Sequence, residues 1–293
     1  MEEFQKNPNT TWIVKPNNKS QGQGIFLLRK VNQLKKIVPG ANLNAAFKNF
    51  NVNETYVISR YLDNPLLIGG KKFDLRLYGN LINNSVLVTS YRPLKCYLYD
   101  EGFARFCNEL YSSDIAEMDN MFVHLTNVAI QKYSGKYSQV HGGKWSLKCL
   151  KFYIESIFGS EKAQKCLEEI NNLMIMSLKS VQSVIINDKH CFEMYGFDVL
   201  LDSACKPWLI EINSSPSLST TTKEDHKLKM QLLKDVFEIV IPEDWGEEYN
   251  RFGANTCQAT RVGKFSVLYD EAVESVYRKN AISSKRNTSK VWR

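Results

Sequence analysis

Three oxygen-bearing side chains, Asp198, Glu211 and Asn213, have the types and spacing to hold a hard cation. They lie in the stretch CFEMYGFDVLLDSACKPWLIEINSSP, residues 191–216. Two apolar-rich runs, 194–201 and 207–212, flank a polar turn at 202–206, a pattern that predicts a β-hairpin. Glu211 and Asn213 are two apart, so they point to one face of their strand. If the strands pair across the short turn, Asp198 comes near Glu211. Two carboxylates and an amide oxygen on one sheet face repel unless a cation joins them. An all-oxygen set suits Mg²⁺ shared with substrate phosphates. The same spacing also fits a half-buried strand with ordinary edge charges.

A second group of residues could meet anions. A β-rich run at 11–14 ends at Lys15-Pro16, a polar loop with Gly22 and Gly24 follows, and a second apolar run covers 25–28. A glycine hairpin lets backbone N–H groups approach phosphate, although it also serves as a plain turn. No Walker loop is present. Residues 56–62 alternate and predict a strand. In the next strand, after Gly69-Gly70, Lys72, Asp74 and Arg76 share one face, opposite Phe73, Leu75 and Leu77. Such a face is either solvated or a row of phosphate- and nucleotide-binding groups. Arg105 is the single charge in the short strand 102–107. His124 stands in an apolar stretch, where a structural, hydrogen-bonded role is expected.

The remaining elements position these groups. Residues 86–91 and 95–99 predict paired strands around Arg92-Pro93. Helical patterns cover 147–158 and 161–186, the latter with Ala163, Leu167, Ile170, Met174, Leu178, Val181 and Ile185 on one face. Met174 and Met176 read as core filler. Residues 31–37 suggest a short helix and 39–53 a surface loop. Residues 222–241 are helical, with Leu228, Leu232, Leu233, Val236, Phe237 and Val240 on one side, and Pro242 stops the helix. Residues 243–293 read as an appendage with a small apolar run at 265–269 and a basic, mobile tail.

Composition narrows the class. The chain has 293 residues, with 43% hydrophobic and 12% aromatic content, which marks a folded globular protein. No apolar run reaches membrane-span length, and the N-terminus lacks an apolar signal segment. Seven cysteines without a CxxC pair argue against a disulfide framework or zinc site and fit reduced cytosolic thiols. A net charge of +7 fits a solvated surface or an acidic partner.

With these residues laid out, the chain resembles the tubulin tyrosine ligase-like family of ATP-grasp amino-acid ligases. The matching stretches are WIVKP, SQGQGIFL, YVISRYLDNPLLIGGKKFDLRLY, MFVHLTNVAIQK, HGGKW, KHCFEMYGFDVLLD and KPWLIEINSSPSL. They run in the family's order from Trp12 to about Leu218. The glutamylating branch fits best, on NPLLIGG, HGGKW and DKHCFE. The resemblance implies an α+β, ATP-grasp-like fold of two lobes of mainly antiparallel sheet with packed helices, and an ATP site between them. Residues 1–62 would be a central lobe lacking the family's N-terminal region, 63–242 the C-terminal lobe, and 243–293 the appendage.

The resemblance also implies roles. Lys15, Gln21 and Gly22 would hold ATP phosphates. Ser59, Arg60, Tyr61 and Leu62 would form the adenine-side hinge, mostly through backbone. Lys72, Phe73 and Asp74 would line the nucleotide, and Thr126 and Asn127 would contact ATP. Asp198, Glu211 and Asn213 would hold magnesium, and Arg76 would join Glu211 in the catalytic machinery. Arg105 and Lys144 would bind free L-glutamate, whose extra carboxylate suits two cations.

The implied activity is ATP-dependent addition of glutamate to glutamate side chains in tubulin or microtubule acidic tails, through an acyl-phosphate. Accessory subunits are possible partners; nucleic acid and membrane are not expected. The implied location is cytoplasm and cytoskeleton, including cilium, flagellum or basal body. The competing readings are a non-catalytic or subunit-dependent tail-binding module, and a ligase for glycine or tyrosine.

Overall fold

A computed structural model describes Glu3 and residues 6–29, 54–77, 86–100, 102–137, 143–188, 191–214, 223–241 and 261–276. The expected short helix at 31–37, the loop at 39–53 and the basic tail beyond 276 lie outside them. The chain divides into two compact units that are interleaved in sequence. One comprises Met1–Asp74, Ala104–Trp145 and Leu200–Trp208; the other comprises Leu75–Phe103, Ser146–Val199 and Leu209–Arg293. Antiparallel sheets and several helices make the fold α+β.

In the first unit, β1 (Trp12–Pro16) is the middle strand of a small sheet, between β2 (Phe26–Leu28) and β3 (Tyr56–Arg60). Both pairings are antiparallel, with Val14 opposite Phe26 and Lys15 opposite Val57. Trp12, Val14 and Pro16 are buried while Ile13 and Lys15 are half-buried, the period of a strand with one face on the core. Leu27, Tyr61 and Met118 form a core cluster on the other face, where Ile13, the register partner of Leu27, packs with Tyr111. A tight hairpin follows: β4 (Leu67–Ile68) pairs with β5 (Lys71–Leu77), Ile68 opposite Lys71. Its two turn residues, Gly69 and Gly70, have φ of 58° and 73°. Two consecutive positive φ angles favour glycine at both positions. The strand β8 (Phe103–Phe106) continues into Cys107, whose N–H donates to Lys72 O at 2.9 Å. Phe106 N–H donates to Gly143 O, just before β9 (Lys144–Ser146). Two single helical turns, α1 (Met121–His124) and α2 (Val128–Gln131), flank Leu125–Asn127.

The second unit is built on β6 (Val86–Tyr91), β7 (Leu94–Tyr99), β10 (Glu193–Leu201), β12 (Arg261–Val262) and β13 (Phe265–Asp270). Their order is β12-β13-β7-β6-β10, and β10 continues onto the end of β5. The hairpin partner β11 (Pro207–Asn213) pairs with β10, as the sequence predicts. Residues 196–201 of β10 are buried without alternation, so both faces are covered there. α3 (Leu147–Phe158) is capped by Ser146, whose Oγ accepts from Cys149 N–H at 3.2 Å, and ends at Gly159. α4 (Ser160–Val181) and α5 (Lys223–Val240) complete the unit.

Several expectations are corrected. The run at 265–269 is not in an appendage: it is β13, paired along β7, with Phe265 fully buried against Tyr99. Leu87, Tyr97, Leu232 and Val236 share that core. α4 stops at Val181 rather than 186. It buries Ala163, Cys166, Ile170, Met174 and Leu178, so Cys166 takes the place given to Leu167. Val181 and Met176 are exposed; Met176 stands two residues past Met174, on the far side of the helix. On α5, Phe237 is exposed while Lys229 and Asp235 are buried. Among the described residues no helix is long and apolar enough to cross a membrane. The six described cysteines are unbridged.

Asp235 explains its own burial. It accepts from Gln231 Nε2 at 2.6 Å and from Lys264 N–H at 3.1 Å, tying α5 to the β12–β13 turn. Gly263 in that turn has φ 55°, and a Cβ there would sit 2.3 Å from the Asp235 carboxyl carbon. Gly159 has φ 82° with no atom within 4 Å of its Cβ position. Gly263→Ala should therefore destabilise by about 2–4 kcal/mol, strain plus overpacking, and Gly159→Ala by about 1–2 kcal/mol, strain alone. Urea unfolding midpoints of the two variants check this ranking.

Candidate functional site

The hairpin brings the expected oxygen ligands together. Asp198 on β10 is the register partner of Arg76 on β5, so their side chains share a face. Arg76 Nη1 donates to Asp198 Oδ2 and lies 3.7 Å from Glu211 Oε1. Asn213 Nδ2 donates to Glu211 Oε1 at 3.4 Å. Asp198 is buried, Glu211 exposed and Asn213 half-buried. Two carboxylates thus converge on one positive group, which answers the repulsion foreseen in the sequence. Among the described residues no group of three His, Cys, Asp or Glu clusters as a metal site. The donor set is two carboxylates and an amide, oxygen only, and that chemistry fits a hard divalent cation.

Asp202 organises the turn that joins β10 to β11. Its Oδ1 accepts from the N–H groups of Ala204 and Lys206 at 2.9 and 3.0 Å, and its Oδ2 from Trp208 Nε1 at 3.0 Å. Burial alone would raise the Asp202 carboxyl, but these donors hold it below the usual carboxylate range. The signal was present in the sequence as an Asp opening a turn.

Lys72 and Asp74 are buried, so the charged face of β5 is not solvated in the first unit. Asp74 faces Arg105: Nε donates to Oδ1 at 2.9 Å and Nη2 to Oδ2, a two-pronged pair with both partners buried. The residues expected to line the nucleotide and to bind glutamate are therefore each other's partner. Lys72 Nζ donates to Tyr61 Oη and to His124 O, both at 2.9 Å, and lies 4.4 Å from the Tyr61 ring centre. Burial pushes the Lys72 ammonium down to about 8. Tyr61 is pushed well up, chiefly by burial. His124 is buried and hydrogen-bonded through both ring nitrogens, in keeping with the structural role expected of it. Burial, then the Lys72 charge, pushes it down to about 4. Burial pushes the nearby Cys107 thiol up to about 12, which leaves no thiolate nucleophile there at neutral pH.

The glycine loop and the Thr126-Asn127 segment meet. Gln21 and Gly22 have φ of 60° and 81°, and a Cβ on Gly22 would lie 2.6 Å from Ile130 Cδ1 and 3.1 Å from Asn127 Oδ1. Thr126 is buried. The shape of this segment depends on Gln131, which sequence reasoning missed. Gln131 Nε2 donates to the carbonyls of Phe122 and Leu125 at 3.2 and 2.6 Å, and Oε1 accepts from Asn108 N–H at 2.8 Å. Asn108 Nδ2 returns a bond to Gln131 O. A buried glutamine in a helical turn carries no pattern that distinguishes it from an exposed one.

The other expected residues occupy the same unit. Lys15 is half-buried on β1, Ser59 and Arg60 are exposed on β3, and Leu62 is half-buried after it. Ser59 and Arg60 stand opposite Ile13 and Trp12; Arg60 donates to Glu3 at 2.9 Å. Tyr61 N–H donates to Thr11 O. Phe73 is buried, 5.4 Å between ring centres from Phe106, so its side chain is core. Lys144 is half-buried beside Trp145, whose ring lies 5.3 Å from that of Phe106.

Comparison with known proteins agrees with these motifs. The model of the tubulin-tyrosine ligase family matches residues 1–248. A probable alpha-tubulin polyglutamylase of Tetrahymena thermophila is 60% identical over 295 residues, covering 100% of this chain and 70% of that protein. A probable tubulin polyglutamylase of Bos taurus is 42% identical, covering 92% of this chain and 60% of its own length. A tubulin polyglutamylase of Homo sapiens is 36% identical over 244 residues, with 78% of this chain and 17% of its own length covered. This chain thus spans only part of these longer relatives. On the family match and these identities, the chain belongs to the tubulin-tyrosine ligase family.

Proposed function

We propose that this chain is an ATP-dependent ligase that adds glutamate to glutamate side chains in the acidic tails of tubulin. The observation that carries this reading is the 60% identity, along the whole chain, to a relative named as a probable alpha-tubulin polyglutamylase. The reading of the fold as a two-lobed ATP-grasp, with Mg²⁺·ATP as co-substrate, belongs to the same proposal.

The chemistry sets a demand for positive charge. An acceptor carboxylate must approach a triphosphate, and the transition state gathers negative charge on oxygen. Asp198, Glu211 and Asn213 would hold magnesium, which when bound would supply positive charge against the charge of the phosphates. Lys15 and the Gln21-Gly22 loop would hold phosphates. Ser59 to Leu62 would meet the adenine side through backbone, and Thr126 and Asn127 would contact the nucleotide beside the loop. Lys72 and Arg76 supply positive charge held by neighbouring side chains. Arg105 and Lys144 would bind free L-glutamate, with Asp74 fixing the plane of the Arg105 fork. The acceptor is already ionised, so its attack needs no protein base. The net charge of +7 favours an acidic protein tail as partner, and accessory subunits fit the same reading. Nucleic acid and membrane are not part of it. The place of action would be the cytoplasmic cytoskeleton, with cilium, flagellum or basal body included.

The test is incorporation of labelled glutamate into microtubules by purified protein and ATP, with glycine and tyrosine in parallel. Glutamate alone should be incorporated. Glu211→Gln should lower the rate by about 100-fold or more while leaving the unfolding midpoint unchanged, because Glu211 is exposed and its charge is what the site loses. Near-normal turnover in Glu211→Gln would remove Glu211 from the metal set, and incorporation of glycine or tyrosine instead would overturn the substrate.

A further inference from the structure

Lys72 is an ammonium held almost out of water, and among the described residues its hydrogen-bond partners are neutral: Tyr61 Oη and His124 O. Burying a cation without a paired anion costs several kcal/mol unless other dipoles are aimed at it. With His124 neutral, as its lowered basicity implies, the dipoles here have one polarity. Glu117 O can only accept, so His124 Nε2, 2.9 Å away, carries the proton. His124 Nδ1 is then an acceptor, and the Tyr61 hydroxyl must donate to it at 2.9 Å. With its proton committed to His124, Tyr61 Oη turns a lone pair to the Lys72 ammonium. The order runs Lys72 to Tyr61 to His124 to the Glu117 carbonyl, each group donating to the next.

We infer that Tyr61 and His124 are positioning residues that keep Lys72 charged and fixed for an anionic ligand. The inference rests on the proposed function for the identity of that ligand, the phosphates of ATP, but not for the positioning itself. Both residues act through Lys72. The Tyr61 ring face adds attraction for the cation at 4.4 Å. His124 must remain neutral to accept, and its depressed basicity keeps it so at physiological pH. The other charged or titratable groups around Lys72 are Lys15 on β1, Asp63 after β3, Asp74 on β5 and Cys107 after β8. Arg105 acts on Cys107, and Tyr111 on Tyr61.

The experiment is a pH titration of the Lys72 side chain by NMR in the full chain, wild type against Tyr61→Phe, paired with ATP binding across the same pH range. Removing the hydroxyl deletes a bond made to the charged form, so Lys72 should lose its proton about one pH unit lower. The alkaline loss of ATP affinity should move down with it. His124→Leu should shift Lys72 in the same direction. His124→Asn, which keeps an acceptor oxygen at the Nδ1 position, should shift it less. A purely structural role for Tyr61 would change the unfolding midpoint and leave the Lys72 titration where it was, and that result would overturn the inference. A shifted Lys72 with an unshifted ATP profile would overturn its assignment to an anionic ligand. Wild-type protein that binds no ATP at any pH would contradict the proposed function, while the NMR comparison still decides the positioning role.

Discussion

Charge inside the protein is the constraint on which the rest depends. Strand β5 places Lys72, Asp74 and Arg76 at alternate positions, and Lys72 and Asp74 are buried. A strand of purely structural purpose would carry apolar residues there, because an ion in a protein interior forfeits hydration worth more than most contacts return. Each of the three is compensated differently. Asp74 has the two-pronged Arg105, Lys72 has the Tyr61 hydroxyl and a carbonyl, and Arg76 has Asp198 with Glu211 nearby. In the first unit the partners come from Tyr61 after β3, from the strand β8 and from the turn α1; in the second unit they come from the β10–β11 hairpin.

Compensation of this kind holds charges still rather than making the fold more stable. Replacing a buried pair by apolar residues of similar volume is often neutral or stabilising, whereas removing one partner is costly. On the proposed function, a site for phosphates and amino-acid carboxylates would need cations fixed before the ligand arrives, so that little reorganisation accompanies the reaction. Gln131 fixes, without charge, the carbonyls of Phe122 and Leu125 that lead into Thr126 and Asn127.

Much of the backbone plan was legible in the sequence. The β1–β2 and β10–β11 hairpins, the β6–β7 pair and the helix 147–158 follow from local apolar period and turn residues, both short-range signals. The Asp198–Glu211 approach was legible because a hairpin converts sequence spacing into distance. The Asp74–Arg105 pair was not, since 31 residues separate the partners and each strand gives the face but not what covers it. β13 was missed for a similar reason: its partner β7 lies far away in sequence, and six residues of mixed polarity look alike in a sheet or a loop. On α4 the stripe was found but not its edges. Cys166 behaves as a small apolar residue, and the step of three or four does not decide between it and Leu167. Asp235 on α5 broke the pattern altogether, because its reason is a backbone N–H on another element.

The central claim is that the buried charges serve ligand binding and not stability. It is tested most directly by the thermal unfolding midpoint of the double variant Asp74→Leu/Arg105→Met, recorded with ATP present, with and without free glutamate. Ligand that binds the native state raises the midpoint. The account predicts a midpoint without glutamate equal to or above that of the wild type, and loss of the increase that glutamate gives the wild type. A lower starting midpoint together with an undiminished glutamate increase would contradict it, because the pair would then hold the fold and not the substrate.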